Sequence, residues 1–245
     1  MSGDVSPGPS LQEVERLMRE GAALPDGWAE RVSGELRLDR AVLPDLLPLA
    51  DMRGLSGLFL NRTMARDVSP LAGLTGLRRL SLKLTRVSDI SPLARLTGLT
   101  SLILSFSPVD DIAPLAGLTA LESLYLTGTL VSDLTPLTGL TRLERLDLGG
   151  TQVTDVAPLA GLTRLRSLEL ASTSVADIAP LSGLAALEHL DLGETQVRDL
   201  SPLRGLTRLR RLDIRGTPAT DVSVVPAGCE LVSALTYRRA RRGRG

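Results

Sequence analysis

The chain has 245 residues, 43% of them hydrophobic, and 28 basic side chains balance 28 acidic ones to a formal charge of zero. Its single cysteine, Cys229, excludes an internal disulfide and a cysteine zinc site. No stretch approaches the ~20 consecutive apolar residues of a membrane-spanning helix.

Residues 1–9 read as a disordered N-terminus. The opening MSGDVSPGPS lacks a basic stretch followed by an apolar run, so no secretory signal is expected and the protein is placed in the cytoplasm. Residues 10–44 read as a helical cap and one degenerate coil. Ser10 with Glu13 fits a capping box, Leu11, Val14, Leu17 and Met18 then share a helix face, and Gly21 supplies a stop. Trp28, the only tryptophan, lies between Pro25 and Gly34. It is expected to plug the open end of the first coil rather than stack on a ligand. Leu36 and Leu38 carry the strand register of Leu58 and Leu60 back by one coil.

Residues 45–220 are organised by a strict period. Asp45, Asp67, Asp89, Asp111, Asp133, Asp155, Asp177, Asp199 and Asp221 are spaced by 22 residues, and prolines from Pro48 to Pro202 keep the same step. An unbroken period of this length marks a solenoid of stacked coils, here eight full repeats forming one elongated domain. Within one repeat, Leu93, Leu96, Leu99 and Leu102 are three apart, the spacing of a 3₁₀-like path. Leu102 and Leu104 are then two apart, as on a strand with one buried face. Pro92 suits the first turn of a short helical segment, with Ser91 as its expected N-cap. Each connection returns in the same sense, so the strands must be parallel. One coil alone buries too little apolar surface to offset the entropy of ordering 22 residues, so neighbours must close its faces. Residues 221–237 lose the proline and read as a C-terminal cap.

The pattern L-x-x-L-x-L-x-x-T-x-V-x-D-[IVL]-x-P-L-x-G-L-T-x resembles the 22-residue repeats of the bacterial internalin-like leucine-rich-repeat class. The resemblance implies an α/β leucine-rich-repeat solenoid with a parallel sheet on its concave side and 3₁₀ or short helical segments on the convex side. It also implies protein binding on the concave face. Where that class has asparagine, this chain has Thr63, Thr85, Ser107, Thr129, Thr151, Thr173, Thr195 and Thr217. Their hydroxyls are expected to form a buried ladder bridging adjoining coils. No signal peptide or surface anchor of the internalin kind is expected from these residues, so the adhesin role of the internalins is not carried over as an expectation.

Candidate chemistry is sparse. The aspartate column could suggest a cation ladder, but a carboxylate at the turn before a 3₁₀ segment more simply accepts backbone N–H groups. No second carboxylate recurs to complete an oxygen shell. His189, the only histidine, stands near Asp191 and Ser167 in a triad-like order. A flat sheet offers it neither an oxyanion hole nor a closed pocket, and no phosphate-loop, zinc-protease or CxxC motif occurs, so no enzyme, metal or cofactor is expected. Residues 238–245 form an arginine-rich tail. Arg238, Arg239, Arg241, Arg242 and Arg244 leave the rest of the chain with 23 basic residues against 28 acidic ones. Nucleic acid or an anionic surface could bind there by phosphate neutralisation, although interleaved aromatics that would stack bases are absent apart from Tyr237.

The concave face is more informative. Its central outward column runs Phe59, Ser81, Ile103, Tyr125, Asp147, Glu169, Asp191 and Asp213, turning from mostly apolar to acidic halfway along. Leu84 and Phe106 add to the apolar half. Arg145, His189 and Arg211 flank the acids, with Glu144, Glu188 and Glu194 nearby. Three of the five aromatic residues fall on this surface, and grouped exposed aromatics are typical interface anchors. The sequence therefore reads as a monomeric, non-enzymatic interaction protein whose partner offers an apolar anchor and a basic patch. An inhibitor or immunity-type partner of one enzyme is the alternative within the same class.

Overall fold

The structure is a computed structural model in which residues 9–233 are described. The expectations for residues 1–8, Tyr237 and the arginine-rich segment therefore lie outside the described residues. Among the described residues, ten strands form one parallel sheet in chain order. They are β1 (Ser33–Arg37), β2 (Gly54–Phe59), β3 (Arg79–Ser81), β4 (Ser101–Ile103), β5 (Ser123–Tyr125), β6 (Arg145–Asp147), β7 (Ser167–Glu169), β8 (His189–Asp191), β9 (Arg211–Asp213) and β10 (Glu230–Val232). From β2 to β9 every strand pairs with the next in one unchanged register, so that Leu80, Leu102, Leu124, Leu146, Leu168, Leu190 and Leu212 stand side by side. Between β1 and β2 the pairing shifts at a bulge between Gly34 and Glu35.

The change of leucine spacing locates the elements as the sequence implies. Leu102 and Leu104, two apart, both face the core. Leu93, Leu96 and Leu99 are also fully buried, and each backbone N–H donates to the carbonyl three residues earlier, at 2.9 Å. The three-residue spacing is thus a string of tight turns with one leucine inward per turn, and Ser91–Arg95 is a 3₁₀ helix. Its expected cap is corrected: the N-cap position is Ile90, and Ser91 is the first helical residue. The capping acceptor is Asp89, whose Oδ1 receives the Ser91 N–H at 2.8 Å. All nine column aspartates accept the amide two residues on in this way. Among the described residues no group of three or more His, Cys, Asp or Glu could hold a metal ion.

The hydroxyl column is buried except at its last member, Thr217, but it does not bridge coils. Each hydroxyl donates within its own coil, to the carbonyl three residues earlier; Thr151 Oγ1 reaches Leu148 O at 2.6 Å and Thr195 reaches Leu192 O at 2.6 Å. The short side chain spans the turn that follows each strand and cannot reach the next coil. Since Thr151 N–H also donates to Leu148 O, at 3.3 Å, removing the hydroxyl leaves that carbonyl one partner. Thr151→Val is accordingly expected to cost about 1 kcal/mol, the typical net worth of one hydrogen bond. A urea melt in which it costs nothing would show the hydroxyl to be dispensable.

Both ends are covered, unequally. Helix α1 (Leu11–Arg19) begins at Ser10, whose Oγ accepts Glu13 N–H at 3.2 Å, and ends in a Schellman turn at Gly21, φ +69°. It buries Val14 and Met18, and Trp28 packs partly buried against the same core. At the other end β10 completes the sheet, yet no described residue after Ile214 is fully buried. Val224, Val225, Cys229 and Leu231 pack against the core and are themselves partly buried.

Candidate protein-binding face

The alternation that buries the strand leucines turns the residues between them outward, onto the open face of the sheet. Phe59, Ile103, Tyr125, Asp147, Glu169 and Asp191 are half-buried there, each flush against the neighbouring rung. Two members of the column differ. Ser81 is buried, with its hydroxyl on Asn61 Oδ1. Asp213, expected as an outward acid, is 3% exposed because Arg215 folds over it, with Nη2 at 2.6 Å from Oδ2. That rung presents a guanidinium in place of a carboxylate.

Each coil leaves the sheet through a residue in the left-handed region. Arg40, Arg62, Leu84, Phe106, Gly128, Gly150, Ser172, Glu194 and Gly216 all have φ between +57° and +73°. Only three are glycine. The left-handed conformation costs an ordinary L-residue roughly 1–2 kcal/mol, so Leu84 and Phe106 sit where glycine would be more comfortable. Both are also exposed, at 39% and 50%. The Phe106 ring lies over Gly128, where an added Cβ would come within 2.6 Å of it, and the Lys83 ammonium is 5.7 Å from the ring centroid. Arg37 stacks on Phe59 at 4.1 Å, covering one face of that ring. Leu84 and Phe106 thus combine a backbone cost shared with Arg40, Arg62, Ser172 and Glu194 with an exposed apolar side chain. Leu84→Gly is therefore expected to leave stability unchanged or raise it by up to about 1 kcal/mol, as strain relief outweighs glycine's entropy. A clear drop in melting temperature would mean that Leu84 is held by packing.

The acidic half divides into two rows of different character. Glu144 and Glu188 are neutralised at the edge by Arg166, at 3.7 and 3.0 Å, and Glu188 also by Arg210 at 3.8 Å. Glu194 accepts from the Ser172 hydroxyl at 2.9 Å. Among the described residues, Asp147, Glu169 and Asp191 form no ion pair. Asp147 and Asp191 each accept the amide two residues on, from Gly149 at 3.0 Å and Gly193 at 2.7 Å. Of the flanking cations, Arg145 donates to Ser123 at 3.2 Å, and Arg211 Nη1 donates to both Glu230 carboxylate oxygens at 3.0 Å while opposing the rise of the Glu169 and Asp191 carboxyls from a distance. Tyr125, Asp147, Gly149, Glu169 and Ala171 help to line a shallow hollow of about 420 Å³. A larger, mixed hollow of about 490 Å³ lies at the N-terminal cap beside Leu24, Leu43 and Leu47. His189 is exposed, Ser167 Oγ turns to Glu169 at 3.3 Å, and no hydrogen bond joins the three triad-like residues.

Burial holds the Glu169 carboxyl above its ordinary value of 4.5, and Asp191 and Asp147 on either side add to the rise. Asp191 is raised above 3.8, chiefly by burial, with Asp213 adding to it and the Gly193 amide opposing. A carboxyl raised by folding contributes stability that is complete below its ordinary value and is lost as pH rises through the raised one. Glu169→Gln should thus be more stable than the parent at pH 7, with the gap closing towards pH 4.5. Urea melts at the two pH values test this, and a gap independent of pH contradicts it. Column aspartates Asp67, Asp89, Asp133, Asp199 and Asp221 behave oppositely. Hydrogen bonds from the Ser or Thr two residues on hold them below 3.8, so their contribution is present above 3.8 and lost in stronger acid.

A parallel sheet backed by 3₁₀ turns, with every coil in one register, defines a leucine-rich-repeat solenoid. Residues 141–183 match the leucine-rich-repeat family in two copies. Internalin C2 from Listeria monocytogenes is similar at 30% identity and a TM-score of 0.75, over 83% of this chain and 91% of that one. A second Listeria monocytogenes internalin, inlF, matches at 29% identity and a TM-score of 0.74, over 95% of this chain and 78% of that one. A leucine-rich-repeat protein of Leptospira interrogans shares the fold, with a TM-score of 0.77 at 19% identity, over 93% of this chain and 63% of that one. No match was found among curated proteins. The chain belongs to the internalin-like leucine-rich-repeat proteins, which are non-enzymatic protein-interaction scaffolds. Among the described residues no helix is long and apolar enough to cross a membrane.

Proposed function

We propose that the open sheet face, on the expected concave side, binds one partner protein along its length. The observation that carries this reading is the exposure of Leu84 and Phe106 on strained backbone beside Tyr125, next to an acidic row whose Asp147, Glu169 and Asp191 form no ion pair among the described residues. Exposed apolar side chains kept at a backbone cost call for a benefit outside the fold. The partner supplies an apolar anchor to the half containing Leu84, Ile103, Phe106 and Tyr125. It supplies basic groups to Asp147, Glu169 and Asp191. Rim charges such as His189 and Arg211 tune encounter more than affinity. A monomer acting in the cytoplasm is part of the same proposal. The test is a pull-down with the intact chain, followed by surface-plasmon kinetics on the captured protein. Asp191→Lys should slow association and flatten its salt dependence with dissociation nearly unchanged; unchanged association would remove the acidic row from the interface.

A further inference from the structure

The acidic row has a candidate occupant within the chain itself. Val232, at the end of β10, pairs with Asp213, and from there the register runs through Asp191 and Glu169 to Asp147. Four strand spacings of ~4.8 Å put the far end of the row about 19 Å from Val232. Arg238 follows Val232 by six residues and Arg244 by twelve. At ~3.3 Å per residue those lengths span up to about 20 and 40 Å, so the five arginines can cover the row. Asp213 already holds Arg215, which leaves Asp191, Glu169 and Asp147 as the carboxylates of the row that form no ion pair among the described residues, with Arg211 and Arg215 acting on them only from a distance.

We infer that the arginine-rich segment 238–245 docks in cis on the Asp147, Glu169 and Asp191 row of its own sheet face. This rests on the reading of that face as a binding surface and adds its regulation: a partner's basic groups must displace the chain's own. The rival acids are the column aspartates Asp199 and Asp221, which are exposed and capped by backbone and hydroxyl donors. Water screens a guanidinium there more fully than at the half-buried row, where attraction is stronger. A short tether holds the segment at an effective concentration of order millimolar, so even weak docking is populated.

The test uses the full chain with all five arginines changed to glutamine, beside the parent, and the synthetic peptide RRARRGRG as probe. At low salt the peptide should bind the glutamine variant at least tenfold more tightly than the parent, whose row is occupied. The difference should shrink as salt is raised. Adding Glu169→Gln and Asp191→Asn to the variant should abolish peptide binding, and adding Asp199→Asn should not. Equal affinity for parent and variant, or binding that survives the Glu169 and Asp191 changes, overturns the inference. Concentration-dependent dimerisation of the parent that the glutamine variant loses would place the segment on a second copy and overturn docking in cis. The peptide assay needs no partner. Its failure beside a successful pull-down removes only the docked segment, and the reverse outcome removes only the partner reading.

Discussion

Leu146→Ala should destabilise the protein by about 3 kcal/mol, within the 2–5 kcal/mol found for buried leucines. Leu146 is 1% exposed and stands in register between Leu124 and Leu168, both fully buried. Truncation removes apolar contact and leaves a cavity that stacked coils on both sides cannot close. Neither neighbour can move without dragging its own turn, since a coil touches only the next one along. Leu231→Ala, in the part-buried last strand, should cost less than half as much. Urea midpoints for both variants decide the matter. If Leu146→Ala and Leu231→Ala fall together, the interior coils are not supporting one another as the packing implies.

Tyr125→Ala should weaken partner binding by at least about 2 kcal/mol, roughly thirtyfold, while leaving the melting temperature nearly unchanged. Tyr125 stands where the apolar half of the face meets the acidic half, between Ile103 and Asp147 in register. It helps to line the hollow beside Asp147 and Glu169, so an anchor entering there would be screened from water on several sides. Phe106→Ala should have a smaller effect, being at the side of the face. Phe59→Ala should also do less, because Arg37 already covers one face of its ring. Surface-plasmon kinetics against the captured partner provide the measurement, with Arg95→Ala on a 3₁₀ turn as the control. Parent-like binding by Tyr125→Ala, together with loss on changing Arg95, would move the interface to the other side of the solenoid.

The period and its leucine spacing made the fold legible because each leucine has one geometric duty, inward on a strand or inward on a tight turn. Polar residues were less readable, since one side chain can satisfy several neighbours. The column threonines were expected to bridge coils, yet a carbonyl three residues back lies nearer than any group in the next coil. Ser91 looked like the cap because it precedes Pro92. The helix starts at Ser91 itself, so the acceptor must stand two residues earlier, at Asp89. Asp213 shares its column with Asp147 and Asp191, but Arg215 follows it where glycine follows the others, at Gly149 and Gly193. The left-handed column was visible in Gly128, Gly150 and Gly216, separated by multiples of 22. Its non-glycine members concealed it, and they carry the case for Leu84 and Phe106.

The unbroken register from β2 to β9 makes the length of this protein an adjustable quantity. Cutting out residues 133–154 would join two ends that already meet in the same conformation, one period apart. Tyr125 would then lie beside Glu169, and the row would be one carboxylate shorter with its backbone otherwise unaltered. Duplication of the same 22 residues would insert a second Asp147 rung. Unequal exchange between repeats in a gene can therefore lengthen or shorten the surface in whole rungs, and a lineage could match it to a longer or shorter target without redesigning a single turn.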